Sequence, residues 1–154
     1  MTRPPTRRIT LALLGAAALA GALAGASCGV IEERRSAEPG PRYPTGIERG
    51  EVFDIQVFRD VTELRFTNTT TRDFGASRLW LNRRYSYPLD DGIPSGRTVE
   101  LDLRDFVDEF GDTYRAGGFF ATRVPAPVVL VELETETSDG PRMHGFVIIE
   151  NQLD

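Results

Sequence analysis

From residue 51 onward, apolar and polar residues alternate with a period of two, and this pattern limits the possible folds more than any other feature of the chain. In VFDIQVF, residues 52–58, the side chains of Phe53, Ile55 and Val57 fall on one face of an extended chain. The stretches VTELRFT and TVELDL repeat the pattern further along. Because successive side chains of a strand point to opposite faces, this alternation predicts strands with one buried face. The predicted buried positions are Phe53, Ile55, Val57, Leu64, Phe66, Val99, Leu101 and Leu103.

Clusters of turn-forming residues divide residues 51–154 into six to eight such strands. Further strands are predicted at 77–87, 128–137 and 143–150. The segment RDFVDEF, residues 104–110, breaks the alternation and predicts one short helix that ends at Gly111. The sequence therefore predicts an all-β domain, with an immunoglobulin-like or fibronectin-like sandwich as the expected architecture and a small β-barrel as the alternative. Since the Cys–Trp–Cys pattern of true immunoglobulin domains is absent, the expected likeness is one of architecture only.

The first 28 residues follow a different pattern. Arg3, Arg7 and Arg8 supply positive charge, and an uncharged run rich in Leu, Ala and Gly follows them. The small residues 25–27 then lie directly before Cys28, the single cysteine of the chain. A basic start, an apolar run and a small-residue end are the three parts of a secretory signal peptide.

With a cysteine directly after the small residues, this segment resembles the signal of a bacterial lipoprotein. The resemblance implies that residues 1–27 are removed and that a diacylglyceryl group on the thiol of Cys28 makes the membrane a partner. Cleavage nearby without acylation, and an uncleaved membrane helix over residues 9–27, are the alternatives. Because Gly29 and not Asp follows the cysteine, the resemblance implies the outer membrane or the cell surface as the location.

Residues 28–50 are polar, contain three prolines and show no periodicity. Such a segment predicts a flexible and extended tether between the anchored cysteine and the domain. The predicted organisation is therefore a signal peptide over 1–27, a lipid-anchored tether over 28–50 and a β-domain over 51–154.

The charge of the chain disfavours nucleic acid as a partner. From Cys28 on, 15 arginines stand against 23 acidic residues, which gives a net charge of −8. A surface of this sign repels a phosphate backbone. The chain has no lysine, which excludes Schiff-base chemistry on a lysine, and its single cysteine excludes an intrachain disulfide.

Catalytic and metal-binding patterns are weak. His144 is the only histidine, it lies in a predicted strand, and no G-x-S-x-G motif accompanies it, so neither a zinc site nor a Ser–His–Asp triad is predicted. The acidic residues Asp105, Asp108, Glu109 and Asp112 are expected to form one solvated face of the short helix, with a calcium site as the alternative. We therefore predict no enzyme activity and no cofactor.

Three aromatic residues, Trp80, Tyr85 and Tyr87, lie close together in the predicted strand 77–87. Strict alternation turns Trp80 away from Leu79 and Leu81, which leaves a binding platform for a glycan or another small ligand as one hypothesis. We expect instead that Trp80 is buried in the core, because a fully exposed tryptophan on a strand is rare, and that a bulge near residues 82–84 shifts the register.

The function predicted from these features is that of a lipid-anchored, exported β-domain. It would act as an interaction or accessory module in the cell envelope, with an envelope protein as its partner. The alternative is a small-ligand-binding or glycan-binding lipoprotein that uses the three aromatic residues.

Overall fold

The structure is a computed structural model, and it describes residues 38–149. Seven strands and one short helix occupy this range. The strands are β1 Glu48–Asp60, β2 Glu63–Thr67, β3 Ser77–Leu81, β4 Tyr85–Leu89, β5 Thr98–Asp102, β6 Val131–Thr137 and β7 Gly140–Ile149, and the helix is a 3-10 turn over Leu103–Asp105.

All seven strands belong to one sheet, in the order β4-β3-β6-β7-β1-β2-β5. Neighbouring strands are antiparallel, except that β1 and β7 run parallel. The sheet curls into a half-barrel, so that its inner face surrounds the core. The prediction of an all-β fold with six to eight strands is confirmed.

The core lies where the alternation predicts it. All eight positions expected to face inward are at most 9% exposed. Phe66 of β2 packs against Phe146 of β7 with ring centroids 5.4 Å apart. Burial of each such side chain contributes roughly 1.5–3 kcal/mol to stability, so this shared core stabilises the curled sheet.

The short helix differs in position and type from the prediction over 104–110. Its cap is Asp102, whose side chain accepts a hydrogen bond from the amide of Arg104. At Phe106 the backbone is already extended, with φ −79° and ψ 128°. The two phenylalanines of the segment therefore do not lie on one face: Phe106 is fully buried in the core, while Phe110 is 74% exposed.

The predicted strand 77–87 is a hairpin of two strands, β3 and β4. The chain reverses at Asn82 and Arg83, which have φ values of 53° and 55°. Asparagine tolerates this left-handed conformation because its short amide can bond to nearby backbone. Here the Asn82 amide donates to the carbonyl of Pro127 at 2.8 Å and accepts from the amide of Val129 at 2.9 Å. These bonds connect the hairpin turn to the segment before β6.

The sheet begins before residue 51, because β1 starts at Glu48. The residues before it also contact the domain. The amide of Gly40 donates to the carbonyl of Asp108 at 2.8 Å, and Tyr43 packs edge-on against Trp80 with ring centroids 5.2 Å apart. Residues 38–47, expected as part of a free tether, thus lie against the sheet.

Within residues 38–149, none of the helical structure is long and apolar enough to cross a bilayer. The predicted signal segment lies outside the described residues.

Candidate functional site

Cys28, the predicted lipidation site, lies outside the described residues, and its acylation stays a prediction. The other predicted site residues all lie within residues 38–149. Their positions show which of them form a common surface.

Trp80 is buried, at 1% exposure, but it is not part of the central core. Its strand neighbours Leu79 and Leu81 point into the core, so strict alternation places Trp80 on the outer face of the sheet. No register shift occurs in the pairing of β3 with β4 or β6. The expected bulge is therefore absent from these two pairings, and Trp80 is buried by what lies over the outer face.

Two groups cover and hold the Trp80 ring. The ring of Tyr43 contacts it edge-on, and the indole N–H donates to the Glu134 carboxylate at 2.7 Å. Tyrosine and tryptophan in such a position bury their apolar rings while their polar atoms stay hydrogen-bonded.

Tyr85 and Tyr87 do not share the face of Trp80. They pair across the hairpin with Leu81 and Leu79 and pack against the core. Tyr85 stacks edge-on against Tyr114 at 5.1 Å. The predicted aromatic platform of Trp80, Tyr85 and Tyr87 is therefore not assembled, since the two tyrosines and the tryptophan lie on opposite faces of the sheet.

A nearly buried carboxylate, Glu132, lies beside Trp80 on the outer face. It is the direct cross-strand partner of Trp80, and its side chain is 6% exposed. The Tyr43 hydroxyl donates to it at 2.8 Å, and Arg49 forms a salt bridge with it. Burial, together with the hydrogen bond to Glu132, raises the pKa of Tyr43 above its ordinary value. Arg49 thus balances the charge of Glu132, and the hydrogen bond from Tyr43 holds residues 38–47 against the sheet.

The acidic cluster does not form one solvated face. Asp108 is fully buried, and its Oδ1 accepts hydrogen bonds from the amides of Phe110 and Asp112, each at 2.9 Å. Its Oδ2 accepts from two nitrogens of Arg84, at 2.9 and 2.7 Å. Burial alone would raise the pKa of Asp108, but the hydrogen bonds from Arg84 and the two amides outweigh it and hold the pKa below its ordinary value.

The other three acids of the cluster are exposed. Asp105 faces solvent, Asp112 lies 3.8 Å from Arg84, and Glu109 lies 3.6 Å from Arg42. Among the described residues, no three His, Cys, Asp or Glu side chains are grouped as metal ligands. The cluster is therefore a turn organised by Asp108 with exposed acids around it.

His144 is a buried residue, at 6% exposure, and its ring stacks on Phe53 with centroids 4.8 Å apart. Its Nδ1 has no hydrogen-bond partner. Burial is the main cause that lowers the pKa of His144 below its ordinary value. A side chain at Gly50 would collide with the imidazole ring, so the glycine of β1 makes room for it. This environment is that of a neutral packing histidine.

The two edges of the sheet differ in how they are protected. On β4, Ser86 exchanges backbone hydrogen bonds with Val107, and Pro88 has no amide to donate. Within the described residues, β5 pairs only with β2. A groove of about 650 Å³ runs between these edges and is lined by residues 87–92 and 97–101. The β5 edge therefore lines an open groove with one side of its backbone unpaired.

A second exposed feature is the loop before β6. Phe119 and Phe120 are 95% and 90% exposed and contact each other edge-on at 5.0 Å. Val124 in the same loop is also exposed. The sequence analysis did not identify residues 119–124 as a surface, although the two adjacent phenylalanines after Gly117-Gly118 could have indicated one.

Comparison with protein-family models, with curated proteins and with solved structures finds no match to this chain.

Proposed function

We propose that the chain is an exported lipoprotein, anchored to the outer membrane or the cell surface through acylated Cys28, and that its β-domain is a non-catalytic interaction module for an envelope protein. The observation that carries the interaction role is the edge of β5 beside the open groove, which has no second partner strand among residues 38–149. A strand edge of this kind can accept an extended segment of a partner through main-chain hydrogen bonds.

The hydrogen-bond alternation identifies the residues of β5 that face the partner. The amide of Leu103 donates to Thr62, and the amide of Asn68 donates to Arg97, at the two ends of the β2–β5 pairing. Because paired residues in an antiparallel ladder alternate, the odd-numbered residues 97–103 bond to β2. Thr98, Glu100 and Asp102 then direct their amides and carbonyls away from β2, toward the site of an added strand.

The charge of the groove indicates the chemistry of the partner. Asp90, Asp91 and Glu100 line it, with Arg97 as the one cation among the residues that line it. An acidic edge also discourages pairing between two copies of the same edge. The partner segment we propose is therefore an extended stretch that carries lysine or arginine.

The strand order supports an immunoglobulin-like architecture. Strands β1-β2-β5 lie on one side of the parallel β1–β7 pair, and β7-β6-β3-β4 lie on the other. In an immunoglobulin-type chain, strands A, B and E are likewise neighbours in one sheet, and strands G, F, C and C′ in the other. We propose this likeness as one of architecture only. A fold of this kind occurs with many functions and does not assign one.

The absence of catalysis is part of the same proposal. The single histidine is buried against Phe53, and the buried carboxylates Asp108 and Glu132 are each neutralised by an arginine. A general base needs access to substrate, and these three groups are enclosed by their structural partners.

A site-specific cross-linking experiment tests the interaction. A photo-cross-linking residue replaces Thr98 on the β5 edge, or Asp139 in the distant β6–β7 turn as the control. We expect a cross-linked envelope protein only from position 98, lost with Glu100→Pro and retained with Glu100→Ala. Since the Glu100 amide points away from β2, the proline removes no ladder bond, and an unchanged melting temperature verifies the fold.

Two results would contradict the edge as the contact surface. One is a cross-link of equal yield from positions 98 and 139. The other is a yield at position 98 that Glu100→Pro leaves unchanged in a folded protein.

A further inference from the structure

The loop of residues 115–127 holds two adjacent phenylalanines almost wholly in solvent. Phe119 and Phe120 are 95% and 90% exposed, and Val124 is 82% exposed. Single exposed apolar residues are ordinary, but a contiguous group of large ones marks a surface that is covered in use.

The base of the loop is fixed by hydrogen bonds. The Arg59 guanidinium donates to the carbonyl of Ala116 at 2.7 Å and to that of Ala126 at 2.6 Å. The amide of Ala126 donates to the carbonyl of Arg115 at 2.9 Å, and the Tyr114 hydroxyl also donates to Ala126 at 2.9 Å. The backbone on both sides of the phenylalanines is thereby held together, so the aromatic pair is presented from a defined base.

The charged residues around the loop are positive, whereas the net charge of the chain is negative. No acidic residue lies between Asp112 and Glu132, although the chain has 23 acidic residues in all. Arg115 and Arg123, one on each side of the phenylalanines, are exposed. An apolar tip flanked by cations suits a bilayer surface with anionic headgroups, where the rings enter the acyl boundary and the cations stay at the headgroups.

The loop is linked by hydrogen bonds to the first described residues of the chain. Arg84 and Asn82 belong to one hairpin turn: Arg84 bonds to Asp108, and Asn82 bonds to Pro127 at the end of the loop. The carbonyl of Asp108 accepts from Gly40, two residues after the first described residue. The entering chain and the loop are therefore connected through a single turn.

The distance to the anchor fits the same arrangement. Nine residues, 29–37, lie between Cys28 and Glu38. A segment of that length spans at most about 35 Å when fully extended. An anchor on so short a segment keeps this end of the domain close to the membrane.

We propose that the loop over residues 115–127 is a second membrane contact, in which Phe119 and Phe120 insert into the interface of the bilayer that carries the anchor. This inference rests on the proposed anchoring through Cys28. A second attachment besides the diacylglyceryl anchor would fix the orientation of the domain relative to the membrane and leave the β5 edge open to a partner. The diacylglyceryl anchor alone attaches the chain at one point and does not set this orientation.

The test uses the acylated mature chain, residues 28–154, in vesicles of phosphatidylethanolamine with a minority of phosphatidylglycerol. An environment-sensitive fluorophore is placed on Thr122→Cys in the loop, or on Asp139→Cys in the β6–β7 turn as the control. We expect a blue shift on vesicle binding, with quenching by spin-labelled lipid, at position 122 and not at position 139. The double change Phe119→Ser and Phe120→Ser should abolish the shift while the protein still floats with the vesicles and keeps its melting temperature.

The outcomes separate this inference from the proposed function. Protein that does not float with vesicles overturns the anchoring and this inference together. Protein that floats while position 122 stays in water overturns this inference alone. A blue shift at position 122 that needs added envelope proteins and not lipid also overturns it, in favour of a protein partner.

Discussion

Replacing Trp80 by alanine tests how the outer face of the sheet is closed. The side chain is 1% exposed and contacts Tyr43, and its N–H is bonded to Glu134. Truncation of a buried aromatic residue to alanine costs about 3–5 kcal/mol, and a domain of this size has roughly 5–15 kcal/mol in all. We expect the melting temperature to fall by roughly 12–20 °C, measured by circular dichroism because the variant has lost its only tryptophan.

A matched variant, Tyr43→Ala, removes the side chain that covers Trp80 and leaves the indole ring in place. Tyr43 is half-buried, so this change should cost less stability than Trp80→Ala. It should also expose the indole, with red-shifted emission that acrylamide quenches. Blue-shifted emission that resists quenching in Tyr43→Ala would refute the argument that residues 38–47 cover Trp80, as would a Trp80→Ala variant of unchanged stability.

Two further predictions concern the dependence of stability on pH. The pKa of Asp108 in the folded protein lies below its ordinary value, so the ionised carboxylate stabilises the fold above the pKa of the unfolded chain, and this contribution is lost as the pH falls through the folded pKa. Asp108→Asn should lower the free energy of unfolding at neutral pH by about 1–3 kcal/mol and remove part of the loss of stability in acid. Urea titrations across the pH range measure both effects. The pKa of His144 in the folded protein is also lowered, so the unfolded chain takes up a proton first and the free energy of unfolding should fall as the pH drops through about 6.5, the unfolded value. His144→Phe should remove this pH dependence of the free energy of unfolding. If the variant kept the same dependence near pH 6.5, a buried neutral imidazole would be contradicted.

The alternation of the sequence predicted the inner face of the sheet well. Phe53, Ile55 and Val57 are buried in one row because a period of two is a local property of an extended chain. The pairing of β1 with β7 could not be predicted in the same way. Alternation predicts which face of a strand is buried, but it does not predict which strand lies next to it.

The outer face could not be predicted, because its cover comes from a segment without periodicity. Alternation placed Trp80 on the face opposite Leu79, and its burial there depends on contacts with Tyr43 and Glu134. Asp108 was misassigned for a related reason: its local spacing resembles a solvated helix face, while Arg84 from the β3–β4 turn buries and neutralises it. Contacts between distant segments decided both positions.

The most direct test of the account is the intact mass and N-terminal peptide of the mature protein isolated from membranes of its own cells. We predict a chain that lacks residues 1–27 and begins at Cys28, with a diacylglyceryl group on the thiol. A mature chain that begins elsewhere, or a Cys28 with a free thiol in protein recovered from the membrane-free fraction, would contradict lipid anchoring.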